Sequence, residues 1–383
     1  MEKSIYLNYA ATSIQKPQPV IDAVCQYLQQ NHEISYNRSF LDYESNHAAF
    51  HGREKIGAFF NVPDSSHVVF TSNITMALNM VLHGLLKTGD HVITTSVEHN
   101  AVMRPLYLLK EKLQIEVTCL PCQPDGTLHP DVLAQEIRPN TKVLVMTHAS
   151  NVLGTILPIK ECFAIAKEHR LITILDSAQT AGFLPIDMDD MKIDVLTFTG
   201  HKSLLALSGI GGFALRAEVA KQMEPWLTGG TGSYSQSLVQ PDVLPDKFES
   251  GTLNSVGILG LTESINWLNA VGLEQISAKE REMTRQFLEG LRDLPVRVLG
   301  TGDANRSVPV VSIVTEQMSA NDLSYELYEN YHIVTRSGLH CAPKAHETAG
   351  TMGDGAVRFS FGWETTADEI AYTLDALNKI LKM

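Results

Sequence analysis

The sequence is short of positive charge, of cysteine and of long apolar runs, and each shortage closes off a class of function. Lysine and arginine number 30 against 43 aspartate and glutamate, a formal net charge of −13 at neutral pH. No basic cluster stands out, so a nucleic-acid backbone, whose phosphates need grouped cations, is excluded as a partner. No run of about 18 apolar residues occurs that could span a bilayer. The opening MEKSIYLNYAATS also lacks the apolar centre of a secretory leader, so a cytoplasmic protein with no membrane contact is expected. The five cysteines (Cys25, Cys119, Cys122, Cys162 and Cys341) are odd in number and scattered, which does not suit a disulfide framework. Cys119 and Cys122 form a Cys-x-x-Cys pair in TCLPCQPDG. Neither a helix N-terminus nor a second ligand pair accompanies it, so it reads as a strand entering a turn, and no metal site is expected.

What the chain does have is an ordinary globular balance, 44% apolar and 19% charged, over a length suited to two or three domains. From residue 45 to about 215, short β-branched runs alternate with helix-like stretches. The runs include HVVFTS at 67–72, DHVITTS at 90–96, TKVLVMTHAS at 141–150, LITILDSA at 171–178 and VLTFTG at 195–200. Amphipathic segments at 75–86, 103–112 and 159–168 lie between them. This alternation predicts an α/β fold with a parallel sheet, whose ligand sits at the carboxyl ends of the strands. Residues 225–257 turn to Gly, Ser and Thr without periodicity, a stretch long enough to be functional or interfacial. One long helical pattern follows at 256–294. Beyond it, VRVLG, VPVVSIV and AVRFSF read as strands and 321–331 and 367–383 as helices. These predict a smaller α+β domain at 258–383 completed by residues 1–14, with the larger α/β domain at 15–257.

Two residues suggest chemistry before any resemblance is invoked. Lys202 follows an apolar strand in TFTGHKSLLALSGIGG, where desolvation lowers an amine's pKa and frees it to attack an aldehyde. Taken alone it reads more readily as a solvated loop lysine. Upstream, Asp176 ends the buried strand of LITILDSAQTAG, and a buried carboxylate needs a cation or donor. The protonated ring nitrogen of pyridoxal phosphate is such a cation, and a carboxylate there keeps the cofactor an electron sink.

The pair DSAQ and TGHK, in this order, resembles the class V, fold-type I aminotransferase family, and within it the cysteine desulfurase and selenocysteine lyase group. YLNYAATS, VVFTSNITMALN, SVEHNA, HASNVLGTILPI, FESGTLN and TRSGLHCAP match further family segments in the same order. The resemblance implies a fold-type I transferase whose large domain holds a mostly parallel seven-stranded sheet. It implies that Lys202 bonds pyridoxal phosphate, that Asp176 pairs with the ring nitrogen and that Gln179 meets the phenolic oxygen. His99 would stack on the ring and help move protons. The phosphate would lie at a helix N-terminus near Asn73, Ile74 and Thr75, with donors from Thr199 and His201, and Thr252 would reach it from the neighbouring subunit of a homodimer. Asn151 and Arg358 would hold the substrate's α-carboxylate, with Arg336 close by. Three segments depart from the family pattern: Ser72-Asn73-Ile74-Thr75 replaces Arg-Gly-Thr-Thr, Asn8-Tyr9 replaces Asp-Asn, and KAHETAGTMGDGAVRFSF after Cys341 is unlike the loop of the sulfur-mobilising desulfurases.

Cys341, in RSGLHCAPKAH, decides the reaction. A reactive thiol needs a partly exposed, electropositive setting, which Arg336, His340, Lys344 and His346 are expected to provide. The implied activity is a cysteine desulfurase that converts L-cysteine to L-alanine, keeps the sulfur on Cys341 as a persulfide and hands it to an acceptor protein. The alternatives are another class V reaction (a selenocysteine or C–S lyase, an epimerase or an aminotransferase) and a non-catalytic pyridoxal-phosphate-binding protein.

Overall fold

The β-branched runs become strands buried on both faces, as a parallel sheet between helical layers requires. The computed structural model describes residues 4–29 and 43–382. It opens with β1 (Ile5–Tyr6), α1 (Gln18–Gln29) and α2 (Tyr43–Phe59). The alternation then runs β2 (Val68–Thr71), α3 (Ile74–Leu85), β3 (His91–Thr95), α4 (Asn100–Leu113), β4 (Glu116–Leu120), α5 (Asp131–Glu136) and β5 (Thr141–Thr147). It continues through α6 (Ile159–Glu168), β6 (Ile172–Asp176), β7 (Val195–Thr199), β8 (Gly211–Leu215) and α7 (Ala217–Gln222). A seven-stranded sheet results, in the order β2-β8-β7-β6-β5-β3-β4. It is parallel from β7 to β4, and β8 runs antiparallel to both its neighbours. β4, which carries Cys119, is one of the two edge strands and the least buried of the seven.

The helical pattern of 256–294 is two helices, not one: α8 (Ser255–Val271) and α9 (Leu273–Gly290). Gly272 separates them at φ +91°, a conformation a residue with a Cβ rarely adopts. α8 packs against α1 and α2, so closely at Gly52 that an added Cβ would lie 2.7 Å from Ile258 Cγ2.

The remaining elements are β9 (Arg297–Leu299), β10 (Val310–Val314), α10 (Ala320–Tyr331), β11 (Ile333–Val334), β12 (Arg336–Gly338), α11 (Pro343–Ala349), β13 (Ala356–Ser360) and α12 (Ala367–Leu381). They build a four-stranded antiparallel sheet, β12-β13-β10-β9, over a core that includes Phe287, Phe359 and Phe361. α12 starts on a capping box in which Thr366 and Glu369 each satisfy the other's backbone N–H. The chain's beginning joins this region. β1 pairs in parallel with β11, Leu7 is fully buried in the same core, and Asn8 bridges to Ser360. Burial of one such leucine stabilises by roughly 1.5–3 kcal/mol, enough to hold a two-residue strand in place.

Candidate active site

The carboxyl ends of β5, β6 and β7 converge, and Lys202 stands just past the last of them. Its backbone is pinned on both sides. The His201 carbonyl accepts from Ser13 N at 2.8 Å and from the hydroxyls of Thr12 and Ser13 at 3.1 and 3.0 Å. The Lys202 carbonyl accepts from Leu205 N at 2.8 Å. Lys202 is partly exposed, but desolvation lowers its ammonium pKa to about 8, with Asp176 opposing and Arg358 and Arg336 assisting. Asp176 is buried, and its Oδ1 accepts from Ala178 N at 2.9 Å. Burial raises its pKa against that bond and the charge of Lys202.

His99 is the N-cap of α4, where its Nδ1 accepts from Ala101 N at 3.0 Å, so the neutral ring carries its proton on Nε2. Burial first, then the charges of Lys202, Arg336, Arg358 and Arg104, pull its pKa down to about 3. The neighbouring Glu98 is fully buried and accepts from Thr95 Oγ1 at 2.7 Å and from Thr147 N at 2.9 Å. Burial pushes it up to about 8, so it is protonated at neutral pH. Glu98 stood in the SVEHNA segment, but only its burial marks it.

The predicted phosphate residues surround the N-terminus of α3. Asn73 Oδ1 caps the helix by accepting from Met76 N at 3.0 Å. The Ile74 side chain is in the apolar core, so only its N–H can face a ligand, while Thr75 is exposed. Thr199 Oγ1 is buried with no hydrogen-bond partner among the described residues. His201 is held at about 4, by burial and then by Lys202 and Lys16. Gln179 donates to the Ala10 carbonyl at 3.2 Å. Thr252 is exposed, and no hydrogen bond joins it to the other residues of the site.

Arg336 and Arg358 face each other across β12 and β13 as register partners. Arg358 is 1% exposed, donating from Nη1 to the Asn151 carbonyl at 3.0 Å and from Nη2 to Asn8 Oδ1 at 3.1 Å. Its Nε has no partner among the described residues. Burial, then Arg336, lowers its pKa to about 9, and no carboxylate is among the groups acting on it.

Cys341 is exposed on a turn in which both it and His340 adopt positive φ, +56° and +52°. The His340 carbonyl accepts from Asn151 Nδ2 at 2.9 Å, and the Cys341 carbonyl accepts from Asn100 N at 2.7 Å, at the start of α4. Arg336 Nη2 lies 3.6 Å from Cys341 Sγ. The other expected cations do not contribute. His340 and His346 are held neutral by burial, at about 3 and about 4, and Lys344 is paired with Glu347 at 2.6 Å. Of the four expected cations only Arg336 acts on Cys341, and Lys202 and Arg358, outside that expected set, also lie within electrostatic reach of its thiol. Burial pushes the thiols of Cys122 and Cys162 up to about 11 and about 12, which sets them apart as unreactive.

Residues 5–373 match the family described as Aminotransferase class-V. The chain belongs to the class-V aminotransferase family. Among its relatives is the cysteine desulfurase of Serratia proteamaculans, 32% identical over 388 residues that span 99% of this chain and 93% of the relative. The apo structure of a cysteine desulfurase from Thermococcus onnurineus superposes with a TM-score of 0.93 at 30% identity, covering 99% of this chain and 95% of that one. A cysteine desulfurase from Escherichia coli superposes at 0.88 with 25% identity and the same coverage. Class-V membership agrees with the sheet found here. Among the described residues no helix is long and apolar enough to cross a membrane, and no group of His, Cys, Asp and Glu could hold a metal ion.

Proposed function

We propose that the chain is a pyridoxal-phosphate-dependent cysteine desulfurase, acting on L-cysteine and retaining its sulfur as a persulfide on Cys341. The observation that carries this reading is the placement of Cys341, an exposed thiol beside a guanidinium, on a turn tied to Asn151 and to the helix that His99 caps. The relatives named as desulfurases support it.

The residues present suit pyridoxal phosphate. Asp176, buried with a single N–H partner, has capacity left for a protonated ring nitrogen, and the unpartnered Thr199 hydroxyl suits a phosphate oxygen. The N-terminus of α3, with Asn73, Ile74 and Thr75, offers backbone N–H groups and a favourable dipole to the phosphate, assisted by His201. Gln179 takes the phenolic oxygen and His99 the ring face. Lys202, with a pKa near 8, is neutral in a useful fraction of molecules and can bond the aldehyde. Bound there, the cofactor supplies an electron sink for charge at the substrate's α-carbon.

The chain's own side chains do the rest. Arg358 and Asn151 hold the α-carboxylate, with Arg336 on the sulfur side. His99 holds or moves a proton at Nε2. The Cys341 thiolate forms an S–S bond to the substrate sulfur, and the carbon–sulfur bond breaks with its electron pair going to carbon. That carbon takes a proton, leaving alanine and a Cys341 persulfide for an acceptor protein. We place the enzyme in the cytoplasm as a homodimer with shared sites. The segment holding Thr252 exposes Trp226, Leu227, Tyr234, Leu238, Val239 and Val243, an apolar surface suited to a second copy.

Mass spectrometry of the holoenzyme after L-cysteine is expected to find one added sulfur atom on Cys341. Cys341→Ala is expected to lose cysteine-dependent alanine formation. Unchanged alanine and sulfide production in that variant would point instead to a C–S lyase or another class-V reaction. An absorbance spectrum indifferent to cysteine would leave a non-catalytic binding protein.

A further inference from the structure

The turn that carries Cys341 rests on a row of buried side chains to which the reaction above gives no part. His340 Nε2 lies 2.9 Å from the Arg336 carbonyl oxygen, and His340 Nδ1 lies 3.2 Å from His346 Nε2. His346 Nδ1 in turn lies 2.7 Å from Thr351 Oγ1. The two rings stack with centroids 5.5 Å apart and planes 15° apart. Each member of the row is buried.

The chemistry of the row fixes its direction. A carbonyl oxygen only accepts, so His340 Nε2 must carry a hydrogen. Burial keeps both rings neutral, so each has a single ring hydrogen. His340 Nδ1 is therefore an acceptor, which makes His346 Nε2 its donor. His346 Nδ1 is then left to accept from the Thr351 hydroxyl. One polarity satisfies the whole row, Thr351 to His346 to His340 to the Arg336 carbonyl.

The row's position gives it a use. It ends on the backbone of Arg336, whose guanidinium reaches Cys341 Sγ, and it passes through the residue just before Cys341. Left-handed backbone at two successive residues with side chains persists only where the surroundings over-determine it. From outside, Asn151 and Asn100 hold the two carbonyls; from inside, the row holds the His340 ring.

We propose that His346 and Thr351 are positioning residues for Cys341, holding its turn left-handed through His340 and keeping Sγ beside Arg336. Its effect on turnover rests on the reading of Cys341 as the sulfur-accepting thiol; its effect on where the thiol sits does not.

The test uses the holoenzyme with Thr351→Val, Thr351→Ser, His346→Leu and His346→Gln. Valine keeps the shape of threonine but leaves His346 Nδ1 without a donor, whereas serine keeps the donor. The glutamine amide can still donate to His340 Nδ1, and leucine cannot. Thr351→Val and His346→Leu are each expected to slow alkylation of Cys341 by iodoacetamide, followed by mass spectrometry, about tenfold at neutral pH. Alanine formation should fall by a similar factor, with KM for cysteine and the cofactor absorbance unchanged. Thr351→Ser and His346→Gln should stay within about twofold of the parent. Parent-like alkylation and turnover in Thr351→Val and His346→Leu would overturn the proposal, as would a serine variant impaired as much as the valine one. If Thr351→Val does not fold, the His346 pair makes the same comparison. If Cys341→Ala keeps its alanine formation, the desulfurase reading fails, and the alkylation rates alone decide the positioning role.

Discussion

Two buried arginines in this protein should respond very unequally to the same substitution. Arg53 is paired with the buried Glu249 carboxylate, donates from Nε to the Val68 carbonyl at 3.1 Å and lies over the Phe70 ring. Arg358 has amide and carbonyl oxygens but no carboxylate. Methionine replaces either with similar bulk and no charge. At Arg53 it strands Glu249 in the interior, a change that costs about 3–5 kcal/mol. At Arg358 it removes a desolvated charge. The fall in that guanidinium's pKa from 12.5 to about 9 corresponds to about 5 kcal/mol of strain on the charged form. Two acceptors, on Asn8 and Asn151, then lose a donor at about 1–3 kcal/mol each, so the net lies near zero. At roughly 2 °C per kcal/mol, Arg53→Met should lower the Tm of the cofactor-free protein by about 6–10 °C and Arg358→Met by no more than about 3 °C. The same Arg358→Met should raise KM for L-cysteine about 100-fold, because two charge-assisted bonds to a carboxylate are lost. Thermal melts and initial rates read both effects. A large drop in Tm for Arg358→Met with KM unchanged would show that the arginine holds the fold and not the substrate.

Two further predictions follow from pH. Glu280 is buried, its Oε2 has no partner among the described residues, and burial pushes its pKa from 4.5 to about 8. An acid with a raised folded pKa destabilises as it is forced to ionise, so its penalty is absent below about pH 4.5 and complete above about pH 8. Glu280→Gln should therefore raise Tm relative to the parent at pH 8.5 and leave it nearly unchanged at pH 4.5; an equal shift at both would refute the assignment. Lys202 should capture added pyridoxal phosphate faster as pH rises, about tenfold from pH 6 to 7, and level off above its pKa of about 8. Borohydride trapping and peptide mapping read this, and a rate still climbing at pH 10 would mean an ordinary surface lysine.

Much of this was legible because strands and helices obey local rules. The run at 195–200 became β7, and the segment at 159–168 became α6 with the same limits, since periodicity and turn residues act within a few positions. The division at Gly272 was hidden because apolar residues flank it, and the break depends on one backbone angle. The surroundings of Cys341 were misread for another reason. Four basic residues in sequence promised positive charge, but burial removes the proton from two histidines and Glu347 occupies Lys344. Charge on paper became charge in place only for Arg336. The pairing of Arg336 with Arg358 was likewise invisible, because register between strands 22 residues apart is a property of the sheet.

The contact between Asn8 and Arg358 spans 350 residues of chain. A ribosome must therefore deliver nearly the whole chain before this contact can form, and the earliest residues wait for the latest. Any fragment ending short of β13 lacks Arg358 and cannot make it. On the proposed role of Arg358, activity then begins only when synthesis is nearly complete.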